Sequence, residues 1–213
     1  MTRWRLVLRP VRAATAIAIT VALVAQFDRS IDLPEFGAVD FFSYFTVLSN
    51  VAAVVVLGMA AARPILLRLH TFTIVRGAMT LYMAVTGLVY AVLLAPASAN
   101  VGLTLGWVDL VVHRIAPVVV VADWVLDPPQ TRPRLTSVLK WLWFPLLYLV
   151  YSLVRGPRAD WYPYPFLDPD EAGSYPVVAV TCAGILVVFL VVTVVLWWRA
   201  GRGGWRERAK LAR

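Results

Sequence analysis

One cysteine and two histidines are all that the 213 residues hold of either type. Cys182 therefore has no partner for a disulfide within the chain, and inside its apolar run it reads as a small core residue. His70 and His113 are too few for a zinc site built on several histidines, or for a haem gripped between two of them within one subunit. No metal and no cofactor is expected. Charge is scarce too, at 15%, where an ordinary soluble domain carries about a quarter. There is no G-x-S-x-G elbow, which argues against an ordinary serine hydrolase. There is no evident internal repeat, so an inverted-repeat transporter is not indicated.

Hydrocarbon is what the chain has in excess. A hydrophobic fraction of 61% and a mean hydropathy of +0.76 exceed what a soluble fold, about half apolar, can hide from water. The bilayer must be the solvent for most of the molecule. An all-α polytopic membrane protein follows, a single transmembrane domain over residues 1–213. A bilayer core about 30 Å thick needs roughly 20 apolar residues in a helix, and six stretches qualify: 11–27, 41–62, 73–94, 107–126, 138–154 and 175–198. The first follows a basic stretch, as a signal peptide would. It lacks a convincing small-residue cleavage site, and an acidic loop comes next, so it reads as a retained span.

The few charges are sorted by position. The N-terminal tail carries Arg3, Arg5, Arg9 and Arg12. Arg63, Arg68 and Arg76 flank the second and third, Arg132, Arg134 and Lys140 fill the fourth loop, and the tail 199–213 is basic. The alternate loops hold Asp28, Asp32, Glu35 and Asp40, then Asp160, Asp168, Asp170 and Glu171, against Arg29, Arg155 and Arg158. Excess Lys and Arg on one side places that side, with both termini, in the cytoplasm of a multi-pass cell-membrane protein. The net charge of +8 is thus spent on topology and on anionic headgroups, and nucleic acid is not an expected partner. Membrane lipid is.

Ionisable groups inside a span are costly and usually mark function. The fourth span holds four: Asp109, His113, Arg114 and Asp123. Asp109 and His113 are one helical turn apart, so the carboxylate can hold the imidazole in one tautomer, as it would beside a catalytic base. Asp123 lies about 15 Å deeper, within range of Arg76 near the cytoplasmic edge. Arg114 points elsewhere, towards an acidic partner or a ligand carboxylate. Pro117 removes the hydrogen bond to the carbonyl of His113 and kinks the helix. The second span presents Ser43, Thr46 and Asn50 at three- and four-residue intervals, a pattern that also serves as glue between helices. Counted from Asp40 and Trp107, Thr46 and His113 each fall roughly 9 Å below the outer boundary. Tyr148, Tyr151, Ser152 and Arg155 form a further stripe near the outer end of the fifth span. The run "DWYPYPFLDPDE" in the fifth loop is either an interfacial anchor or a lid over an outward-opening pocket.

The segments "FFSYFTVLSN", "VDLVVHRIAPVVVVADW" and "DWYPYPFLDP" resemble the bacterial Pr-six-Pr membrane proteins. More distantly, the six-span plan, the Tyr44-x-Thr46-x-Leu48 pattern and a histidine in the fourth span resemble the androgen-induced family of intramembrane threonine hydrolases, with the androgen-dependent regulator of tissue factor pathway inhibitor among its members. Those hydrolases cleave fatty acid esters of hydroxy fatty acids. The resemblance implies an intramembrane lipid-ester hydrolase with Thr46 as nucleophile and His113 as its base. Asp109 would orient the imidazole and Asn50 would supply an oxyanion donor, while Ser43, Arg114, Tyr148 and Ser152 would line the substrate site. The competing readings are a non-enzymatic lipid or small-molecule carrier, and a membrane assembly partner.

Overall fold

The computed structural model describes residues 3–33, 36–95, 104–129 and 132–200, and these are helical with no strand. Glu35 and the part of the basic tail from 201 to 213 lie outside the described residues.

The first helix, α1, is Arg3–Ile31. A short helix α2 (Ala38–Phe42) leads into α3 (Phe45–Ala62). Between them Ser43 is helical at its C-cap while Tyr44 is extended (φ −76°, ψ 128°), so the second predicted span is two helices set end to end. Arg63 precedes Pro64, whose ring disfavours helical backbone before it, and α3 stops at Ala62. Helix α4 is His70–Val89 and runs on into a π turn, Tyr90–Leu94. Helix α5 occupies 106–126 as Gly106–Leu110, a π turn Val111–Ile115, and Ala116–Leu126. Helix α6 spans 135–159, α7 is the turn-long Pro169–Ala172, and α8 is Tyr175–Arg199.

Five of these helices are long and apolar enough to cross a membrane: Val7–Ile31, Phe45–Ala62, His70–Leu94, Leu135–Ala159 and Tyr175–Arg199. The α5 run has the length, but it carries Asp109, Arg114 and Asp123. Apolar side chains stand exposed along the outer faces, Val180 at 74% and Ile17 at 64% among them. Surfaces of this kind are rare on soluble monomers and are compatible with insertion into lipid.

Helix α4 lies at the centre, packed against α3, α5 and α8, while α1 packs along α3. Small residues permit the closest approaches. A Cβ on Gly87 of α4 would come within 2.9 Å of the Pro117 ring and 3.5 Å of the His113 carbonyl on α5. The π turn answers Pro117 from the other side. It shifts the Ala116 N–H to the carbonyl of Val111, widening the backbone where the proline ring would otherwise crowd the carbonyl four residues back.

One end of the bundle is closed by buried charge. Asp123 on α5 accepts from Arg12 of α1 (2.7 Å) and from Arg76 of α4 (2.7 Å), and Arg12 also reaches Asp127 at 2.8 Å. Arg76 additionally donates to the backbone carbonyls of Asp123 and Asp127 and lies over the Trp124 ring. The reach of Asp123 to Arg76 was legible in the sequence. Arg12 and Arg76, counted there among the charges at the ends of their spans, are buried, at 2% and 3% exposed. Two guanidiniums against two carboxylates leave the buried group neutral, which is how such charge survives out of water.

Candidate functional site

At the other end of the bundle the polar side chains form two groups. The first is built on the π turn of α5. Asp109 receives His113 Nδ1 on one carboxylate oxygen at 2.9 Å and the Tyr90 hydroxyl on the other at 2.6 Å. Tyr90, at the start of the π turn of α4, stacks on the imidazole with centroids 4.2 Å apart and planes 12° from parallel. The predicted Asp109–His113 pairing is therefore present, and it leaves Nε2 as the nitrogen turned to any reactant. Arg114 was expected to point away from this pair towards an acidic partner or a ligand carboxylate; its acidic partner is Asp109 itself. It folds over the Tyr90 ring (5.6 Å), donates to its hydroxyl at 3.5 Å and comes within 4.0 Å of Asp109, with its side chain 59% exposed.

The second group gathers at the N-terminus of α3. The Tyr164 hydroxyl oxygen lies 3.2 Å from the Thr46 backbone nitrogen and 3.3 Å from Thr46 Oγ1. The N–H groups of a first helical turn have no partner within the helix, and a loop tyrosine serves one of them here. Ser43 Oγ reaches the Tyr151 hydroxyl at 2.7 Å, and the Tyr148 hydroxyl donates to the Ser43 carbonyl at 2.9 Å. Ser152 is buried on α6, one turn beyond Tyr148.

Asn50 stands between the groups. Its side-chain nitrogen donates to the Thr46 carbonyl (2.9 Å) and to the Val112 carbonyl of α5 (3.3 Å). Both amide hydrogens are occupied in joining the two helices, so neither is left for an oxyanion. Among the described residues no hydrogen bond joins Thr46 to His113. One faces Tyr164; the other faces Asp109 and Tyr90. The depth argument that paired them treated 40–46 as continuous helix, and the extended Tyr44 removes that basis: Thr46 is the second residue of α3.

The fifth loop is folded down over this end. Arg155 pairs with Asp40 at 2.5 Å and lies over Trp161, while Tyr44 packs edge-on against Trp161 and Tyr164. Tyr164 and Leu167 are buried. Burial pushes the Tyr44 phenol up to about 12, with Tyr164 and Asp40 adding to it, and burial likewise raises Tyr164. Both phenols are neutral at ordinary pH.

Beneath Tyr164 opens a cavity of about 210 Å³ between α3, α4, α6 and α8. Phe45, Val85, Leu149, Leu186 and Phe189 make its walls apolar, and Thr46, Thr86, Tyr148 and Cys182 are its polar points. His113 is not on its wall. The Thr86 hydroxyl is buried without a hydrogen-bond partner. Sequence reasoning passed over Tyr164 and Thr86. The first looked like a headgroup aromatic; the second lies one turn from both Tyr82 and Tyr90 in the third span, a spacing that could have singled it out. Among the described residues no three of His, Cys, Asp and Glu converge as metal ligands would. No known protein family, curated protein or solved structure matches the chain significantly.

Proposed function

We propose that this chain is a six-span membrane protein, with α5 as the fourth span and both termini cytoplasmic, which takes the hydrocarbon chain of a lipid-like molecule into the cavity beneath Tyr164. The distribution of Arg and Lys supports the orientation. The composition of α5 is no obstacle, since Asp123 is neutralised by its neighbours and Asp109 is paired. The observation that carries the binding reading is the cavity: apolar walls, with Thr46 and Tyr164 among the lining residues, in a helix bundle whose outer faces are themselves apolar. Such pockets bind by burying apolar surface, with a few polar groups fixing orientation. The test is native mass spectrometry of the purified protein with monoolein. One saturable site is expected, and Leu186→Trp, which fills the cavity, abolishes it; saturable binding that survives Leu186→Trp contradicts the reading.

A second reading, ester hydrolysis at Thr46, is favoured by one observation: Asp109 orients His113 and leaves Nε2 without a partner among the described residues. Thr46 would attack the ester carbonyl while its proton passes to Nε2. The acyl group moves to Thr46 Oγ1, and the leaving alkoxide takes the proton from His113. Water, deprotonated in the same way, then releases the acid. This requires Thr46 to exchange its contact with Tyr164 for one with His113. Lipase assays of Thr46→Ala and His113→Ala decide it: loss of turnover in both with unchanged folding supports the roles, and undiminished turnover in both removes them.

A further inference from the structure

We propose that the phenol oxygen of Tyr164 occupies the seat of a ligand's carbonyl oxygen, and that the ligand of the cavity is an uncharged acyl lipid, an ester or amide, in place of an ionised fatty acid. This rests on the binding reading above and adds the chemistry of its polar end.

Two hydrogen-bonding groups of one residue, the Thr46 backbone N–H and its hydroxyl, converge on one oxygen atom at 3.2 and 3.3 Å. That oxygen belongs to a side chain from a loop about 118 positions away in sequence, brought down over the first turn of α3, an 18-residue helix. A carbonyl oxygen in that place would accept from both groups, and the partial positive charge of a helix N-terminus favours an oxygen there. The cavity begins at this point, with Thr46 and Tyr164 both on its wall. Thr86 also lines the cavity; it is 5% exposed, and its hydroxyl is buried with no hydrogen-bond partner. A buried hydroxyl left unpaired is costly, and a second ligand oxygen would relieve it.

The charge of the ligand follows from the lining. Among the described residues that bound the cavity, none is Lys, Arg, His, Asp or Glu. A carboxylate drawn into such a place would lose its hydration with no cation to replace it, a heavy penalty that a neutral ester or amide avoids.

Binding of monoolein and of sodium oleate, the latter well above its pKa, is measured by titration calorimetry on detergent-solubilised wild type, Tyr164→Phe, Thr86→Val and Leu186→Trp. Monoolein should bind wild type at least about tenfold more tightly than oleate. Tyr164→Phe removes the resident oxygen and should tighten monoolein binding by about fivefold, the scale of one neutral hydrogen bond. Thr86→Val should weaken it by a similar factor. Oleate binding as tight as monoolein, or a Tyr164→Phe protein that is folded and binds monoolein no more tightly than wild type, overturns the proposal while leaving an apolar site in place. Absence of saturable monoolein binding in wild type overturns the cavity reading and this proposal together.

Discussion

Arg76 and Asp123 are joined twice, through Nη2 at 2.7 Å and Nε at 3.2 Å to the same carboxylate oxygen, while the other oxygen holds Arg12. The arrangement ties α1, α4 and α5 together at a buried position, where a lost partner is costly. Asp123→Asn leaves two buried guanidiniums facing a single remaining carboxylate, Asp127. Breaking a buried pair in this way costs about 3–5 kcal/mol. Thermal unfolding in detergent should show a large fall in Tm; an unchanged Tm would mean that the group contributes nothing to holding the helices together.

Asp109→Asn separates catalysis from stability. An asparagine at 109 presents an N–H towards Nδ1 and so favours the tautomer with the proton on Nε2, which cannot then accept one. If Thr46 is acylated through His113, turnover should drop by about 10²–10⁴. The pair is partly exposed, at 16% and 20% of its side-chain surface, so Tm should move little. A catalytically unimpaired Asp109→Asn protein would exclude His113 as a base oriented by its neighbour.

Two glycines in adjacent helices should respond oppositely to the same methyl group. A Cβ at Gly77 would lie 2.1 Å from the ring of Trp141, which is 1% exposed and boxed in, whereas one at Gly58 meets nothing within 4 Å. Gly77→Ala should destabilise by about 1–3 kcal/mol through overpacking, and Gly58→Ala should be neutral or stabilising by up to about 1 kcal/mol. Equal Tm values for the two variants would contradict the α4–α6 packing.

The phenols under the loop set an alkaline limit. Tyr44 is raised from 10.0 to about 12, so the folded protein holds its proton more tightly than the unfolded chain does. The stability this represents is fully present below pH 10 and is lost as pH rises from 10 to about 12. Near-ultraviolet titration should show tyrosines that ionise late, and Tyr44→Phe should remove one of them. A Tyr44 that titrates at its ordinary value would mean that the loop does not cover it.

Much of the architecture was legible because span length and hydropathy are averages over many residues. The helix at 175–199 was expected at 175–198, and the α4 and α5 runs fall within three residues of expectation. The Asp109–His113 contact was legible for a related reason: spacing along one helix fixes proximity. Features that depend on a single peptide or on distant elements were not. One extended residue, Tyr44, divides the second span and moves Thr46 to a helix end. Tyr164 reaches Thr46 from the fifth loop, and Arg12 turns inward to Asp123, because of packing between elements that no local pattern encodes.

The central claim is that an acyl chain occupies the cavity beneath Tyr164, and the chain's single cysteine offers a direct readout, because Cys182 lies on that cavity's wall. The measurement is the rate of Cys182 alkylation by N-ethylmaleimide in detergent, with and without saturating monoolein. The account predicts that monoolein slows alkylation in wild type and has no effect in Leu186→Trp. A wild-type rate indifferent to monoolein would contradict it.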